Sequence, residues 1–328
     1  MLKIFINPYG RLRSGWRLVL YILVLIAISY VLTQALRVIY ATVLVKQLPL
    51  PRANFAWEIV SRGGFTLAAL AAAYLCVRFL EGLPWRSLGL TRHTGWLRDF
   101  LIGSAIGFAA LIVAVGIAMI GGGLRFSLGD DGWTAITRSL IASVVLFIVG
   151  ALAEEVLFRG YGLQTLARAR LAWLGVLLTC LLFGMAHLSN PNVVPGFTLA
   201  NTVLAGIWLA VAYLRTRSLW LPLGVHWAWN WALGWFFGIS VSGANLVSHP
   251  LFESRDSGPF WLSGGSYGIE GGAACTIAIA LFTIFLWRTS LVSATPELLR
   301  MTSEENPATP RPVVRPTTDY ADYTKESV

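Results

Sequence analysis

Apolar residues run along this chain in long blocks rather than in alternation, at roughly 18–36, 64–80, 99–121, 139–158, 172–189, 197–214, 219–239 and 271–290. An α-helix rising 1.5 Å per residue needs about 20 such residues to cross a hydrocarbon core of about 30 Å. The pattern predicts an all-α, multi-pass transmembrane bundle of about eight spans over 18–290. The count becomes seven if one of the shorter blocks, the second, fifth or sixth, is re-entrant.

The polar stretches between the blocks are of different kinds. Residues 1–17, "MLKIFINPYGRLRSGWR", are basic and lead into the first block with no small-residue cleavage pattern, so that block is expected to stay as a signal anchor. The segment "EGLPWRSLGLTRHTGWLRD" alternates tryptophan and leucine with arginine and histidine, as a segment lying along the membrane surface does. Residues 240–270 are rich in glycine, serine and proline and predict irregular backbone. From 291 to 328 the chain is polar and proline-bearing, and a disordered tail is expected.

Composition agrees with a life in lipid. Hydrophobic residues make up 56% of the 328 positions and charged ones 12%, with a mean hydropathy of +0.67. An ordinary soluble domain is excluded. Most of the 25 lysines and arginines fall on the side of the membrane that holds the N-terminus, which predicts cytoplasmic N- and C-termini and, in a bacterium, the cell membrane. The net charge of +9 then reflects topology and anionic lipid, and no basic-aromatic motif points to nucleic acid. Cys76, Cys180 and Cys275 lie inside predicted spans without paired spacing, which gives neither a disulfide framework nor a thiolate metal site.

Against this background a few polar groups stand out, because an ionisable side chain within a span costs several kcal/mol unless it finds a partner. Glu154, Glu155 and Arg159 close the fourth block in "LAEEVLFRGYG"; His187 ends "FGMAH" on the fifth; His226 and Asn230 lie in "GVHWAWN" on the seventh. Glu155 and Arg159 are four apart and share a helical face, so an ion pair is expected. Glu154 projects about 100° away and is left for another task. His226 and Asn230, and likewise Phe183 and His187, repeat the four-residue spacing. Each pair alone reads as well as a structural contact; together they make a set able to activate water and stabilise an oxyanion.

These motifs, in this order, resemble those of the CPBP family of intramembrane proteases, which includes CAAX-prenyl endopeptidases and relatives of bacteriocin-processing and immunity proteins. "EEVLFR" is similar to the family's Glu-Glu-x-x-x-Arg motif, "FGMAH" to Phe-x-x-x-His and "HWAWN" to His-x-x-x-Asn, all within 139–239. The resemblance implies an eight-helix membrane endopeptidase, its cavity reached from the cytoplasm, acting on a peptide or lipidated peptide at the bilayer. Glu154 becomes the base that activates water, His187 holds that water, His226 and Asn230 face the developing oxyanion, and Glu155, Arg159 and Phe183 support the site. The reading favoured is water activation with no obligatory metal. If zinc takes part, as the name metalloprotease common in the family implies, Glu154, His187 and His226 could supply three ligands.

One geometric condition is attached. Glu154 lies about 8 Å from Arg159 along its helix, whereas His187 is about 22 Å into the next. Their depths agree if "GYGLQTLARARLAW" carries helical turns beyond the bilayer, or if the fifth helix tilts strongly. Alternative readings are a non-catalytic peptide-binding, immunity or scaffold protein of the same fold and, with less support, an ion-coupled transporter, for which no broken-helix pair is seen. Trp208, Trp220, Trp227, Trp229, Trp231 and Trp235 either line a groove for lipid or pack between helices.

Overall fold

The computed structural model describes residues 2–7, 10–47, 50–121 and 123–302. All eight apolar blocks are helical. Six helices are long and apolar enough to cross a membrane: Ser14–Gln47 (α1), Ile59–Glu81 (the main part of α2, which begins at Leu50), Trp96–Ile120 (α3), Trp133–Arg168 (α4), Ala172–Ser189 (α5) and Phe197–Thr216 (α6). The seventh and eighth blocks form shorter helices, Trp220–Trp231 (α7), prolonged by a π-helical turn Ala232–Phe236, and Ala273–Arg288 (α8). Leucine, isoleucine and tryptophan side chains stay exposed along α1, α3, α5 and α8, as a lipid-facing surface requires.

Helix α4 settles the depth condition. It continues through a π-helical stretch, Val156–Leu163, and a last α-helical turn, Gln164–Arg168. The polar end of this helix is held by buried partners. Gln164 donates to the Ser87 carbonyl at 2.6 Å, Thr165 to the Glu81 carboxylate at 2.5 Å, and Arg168 to the same carboxylate at 3.1 Å. Arg17 of α1 also reaches Glu81, at 2.6 Å, so one carboxylate ties the ends of α1, α2 and α4 together. With those extra turns Glu154 and His187 line one cavity, and Phe158 of α4 meets Phe183 of α5 edge to face at 5.2 Å.

The position of α7 is set by glycine. A Cβ on Gly103 or Gly107 of α3 would overlap the carbonyl oxygens of Leu221 and Val225, and one on Gly224 of α7 would overlap Phe100 of α3. The two backbones therefore touch along a small-residue seam, the packing that lipid-embedded helices use when no hydrophobic gradient drives them together. Phe100 then stacks on Trp227, and Trp227, Trp231 and Trp235 stack in turn along α7. In a Gly107→Leu variant the helices cannot close. The expected outcome is loss of most folded protein, read as yield of the monodisperse species in detergent.

Parts of the chain depart from expectation. The 240–270 stretch is not wholly irregular: Phe252–Asp256 (β2) pairs antiparallel with Leu124–Leu128 (β1), Leu124 opposite Asp256. The strand pair docks through rings, Phe126 on Phe237 and Phe252 on Phe236. The surface segment 81–99 packs against the turn between α6 and α7. Ser87, Leu88 and His93 are buried there, and Trp220 donates to the Thr91 carbonyl at 2.8 Å, while Trp85 and Leu97 remain exposed. In the expected tail, Pro296–Thr302 is helical, because Leu298 finds a fully buried seat near Trp85–Leu88. The rest of that tail lies outside the described residues.

Candidate active site

Two apolar clusters fill the bundle, one among α3, α6, α7 and α8, the other among α1, α2, α4 and α6. Between them is a cavity of about 460 Å³. Glu154, Phe183, His187, His226 and Asn230 all line it, whereas Glu155 and Arg159 lie behind its wall with no exposure.

The two adjacent glutamates have different surroundings. The Glu155 carboxylate accepts from Arg159 Nη1 at 3.0 Å and from His226 Nδ1 at 2.8 Å, through the same oxygen. Arg159 in turn donates to the Gly206 carbonyl at 3.1 Å and stands over the Phe183 ring, 4.7 Å from its centroid. The ion pair expected from spacing is present; the bond to His226 is an addition that spacing did not reveal. Glu154 is 30% exposed and faces the Nε2 side of the same imidazole at 3.6 Å, beyond hydrogen-bond range. One histidine thus stands between a committed carboxylate and an available one.

The remaining groups are fixed in tautomer or direction. His187 donates from Nδ1 to the Phe183 carbonyl at 2.8 Å, because a carbonyl only accepts, and this leaves Nε2 as an acceptor. Its ring packs on Phe183 at 4.7 Å, and Phe183 meets His226 at 6.2 Å. Asn230 follows His226 by one turn of α7 and presents its amide to the same space. Trp208 and Trp229 line the cavity, whereas Trp227, Trp231 and Trp235 stack on one another and Trp220 packs on Trp96.

Glu154, His187 and His226, the ligands named if a metal takes part, all line the cavity. Among the described residues no three or more histidine, cysteine, aspartate or glutamate side chains are grouped to hold an ion. The hydrogen bonds of His187 and His226 to Phe183 and Glu155 are made through Nδ1 and leave Nε2 of each ring on the cavity side.

A second carboxylate in the cavity is one that the sequence pattern does not single out. Glu270 accepts from Trp229 Nε1 at 3.1 Å, from the Ser242 backbone N–H at 2.6 Å and from the Ser242 hydroxyl at 3.1 Å. Asn201 of α6 donates to the carbonyls of Glu270 and Gly272, and Thr276 of α8 donates to Asn201 at 2.6 Å. This network closes one end of the cavity and pins α7 at Trp229, the residue next to Asn230. Removing its centre strands three donors, and a lost partner costs about 1–3 kcal/mol per buried group. Glu270→Ala is expected to lower stability by about 2 kcal/mol and to expose the 240–246 segment, measured by thermal unfolding and limited proteolysis.

A multi-pass helical membrane protein with carboxylates, histidines and an asparagine around an internal cavity invites comparison with known membrane enzymes. The family model for Rce1-like type II CAAX prenyl endopeptidases matches residues 136–232, a stretch that contains all seven motif residues. An uncharacterized 24.3 kDa protein of Escherichia coli is 34% identical over 161 residues, covering 47% of this chain and 71% of that protein. The uncharacterized protein YyaK of Bacillus subtilis is 26% identical over 209 residues, covering 60% of this chain and 66% of its own length. The chain belongs to the Rce1-like family, and membership supports a CAAX protease-like enzyme of the membrane.

Proposed function

We propose that the protein hydrolyses a peptide bond of a membrane-proximal substrate, with Glu154 as the base. The observation that carries this reading is the unequal state of the paired glutamates: Glu155 is buried and bonded to Arg159 and His226, while Glu154 is open to the cavity and makes no hydrogen bond. A base has to be free to take a proton from water, and of the two glutamates only Glu154 is.

The other roles follow from the atoms left over. His187 Nε2 accepts a hydrogen bond from the attacking water and holds it beside Glu154. As water adds to the carbonyl carbon, its proton passes to Glu154 and negative charge gathers on the carbonyl oxygen. Asn230 and a protonated His226 Nε2 donate to that oxygen, and charge-assisted donors of this kind each contribute several kcal/mol in a water-poor site. The proton on Glu154 then moves to the leaving nitrogen. Glu155 and Arg159 hold the His226 ring through Nδ1 and do not touch the substrate. The termini face the cytoplasm in this reading, which the arginine distribution along the chain favours.

The test is cleavage of a membrane-tethered peptide library by the purified protein, with and without a chelator. Cleavage that survives the chelator is the expected result. Cleavage abolished by the chelator and restored by zinc would replace this mechanism with a metal-dependent one. Absence of any cleavage by folded protein would favour peptide binding without hydrolysis.

A further inference from the structure

A second cavity, of about 270 Å³, adjoins the first, and Leu146 of α4 and Leu246 of the loop after α7 line both. Beyond that pair of leucines the lining becomes polar. Ser139, Ser143 and Ser248 offer hydroxyls, and Arg138 and His249 stand at the exposed rim. His249 Nδ1 lies 2.8 Å from Asp131 Oδ2. Arg138 has no ion pair or hydrogen bond among the described residues. The cavity therefore presents a guanidinium without a counter-ion next to three hydroxyls, which suits a carboxylate.

Its distance from the candidate base sets what could bring that carboxylate. Arg138 and Glu154 lie on the same unbroken α-helical stretch, Trp133–Glu155. Their sixteen-residue separation spans about 24 Å along the axis. An extended peptide advances about 3.4 Å per residue, so about seven residues bridge the two points. We propose that the second cavity is an exosite for an acidic residue of the substrate, about seven positions from the scissile bond, on a chain that passes Leu146 and Leu246. The shared leucine wall favours a peptide continuous with the reaction cavity over a lipid headgroup, which would need no such connection. The exosite rests on the peptidase reading, and its test separates the two.

The three native cysteines are buried, so a Ser139→Cys variant of the full-length protein carries one accessible thiol. In nanodiscs it is expected to react about five-fold faster with an anionic than with a cationic methanethiosulfonate, the factor given by a unit charge a few ångströms away in water. Arg138→Ala in the same background removes the preference. An aspartate-rich heptapeptide slows labelling, and its lysine counterpart does not. Equal rates with both reagents overturn the proposal, as does protection by phosphatidylglycerol in the nanodisc without protection by the peptide, which makes the cavity a lipid site. With tethered substrates, aspartate seven positions from the cut is expected to raise kcat/KM over alanine in the wild type and not in Arg138→Ala. If the wild type cleaves nothing, the peptidase reading fails, and the labelling arm still decides whether an acidic peptide binds.

Discussion

Glu154→Gln is expected to reduce peptide hydrolysis by about a thousandfold, the middle of the range that a positioned general base contributes, while the protein folds as before. The amide keeps the shape of the side chain and removes its basicity. Its stability cost is small because the carboxylate makes no hydrogen bond and only a 3.6 Å approach to His226. A change of less than about 1 kcal/mol is expected, typical of substitutions that break no buried network. Turnover on a tethered peptide and the thermal unfolding midpoint, measured on the same preparation, check both halves. Residual activity within tenfold of wild type would move the base elsewhere, and a large fall in the unfolding midpoint would make Glu154 a structural group.

The neighbouring carboxylate is expected to behave in the opposite sense. In Glu155→Gln the Arg159 guanidinium loses its counter-ion at a position with no exposure, and breaking a buried pair from one side costs about 3–5 kcal/mol. The unfolding midpoint is expected to fall by roughly 10 °C, since each kcal/mol is worth about 2–4 °C at this chain size. Replacing both partners, as in Glu155→Leu with Arg159→Met, removes the stranded charge and is expected to recover much of that stability. Activity is not expected to return, because His226 Nδ1 still lacks its acceptor. Stability and activity thus part company in the double variant. If they recover together, Glu155 matters only for folding.

Much of this arrangement is legible in the order of the amino acids alone. The pairing of Glu155 with Arg159 follows from four-residue spacing, and the freedom of Glu154 follows from the 100° step between neighbours. What spacing within one helix cannot supply is contact between helices. The bond from His226 to Glu155 joins α7 to α4 and depends on the glycine seam that draws α7 against α3. Glu270 gives no such signal because it sits in "GGSYGIEGG", where a lone acid among glycines reads as a surface loop. Its partners come from Trp229 and Ser242, both distant in sequence. The extension of α4 is one of two options that the sequence leaves open, and the partners that hold it, Glu81 and Ser87, are contacts that spacing does not show. The β1–β2 pairing likewise joins segments more than a hundred residues apart, and neither strand is long enough to announce itself.

The Glu81 junction also says something about biogenesis. Arg17 enters the translocation machinery on the first helix, more than sixty residues before the carboxylate it will face. The hairpin of α1 and α2 is the earliest portion of the nascent chain that contains both Arg17 and Glu81, and Arg168 joins only after two further helices have been made. Assembly of this junction therefore extends over the synthesis of the first four helices, and the Glu81 carboxylate gains its second arginine only at the end of α4.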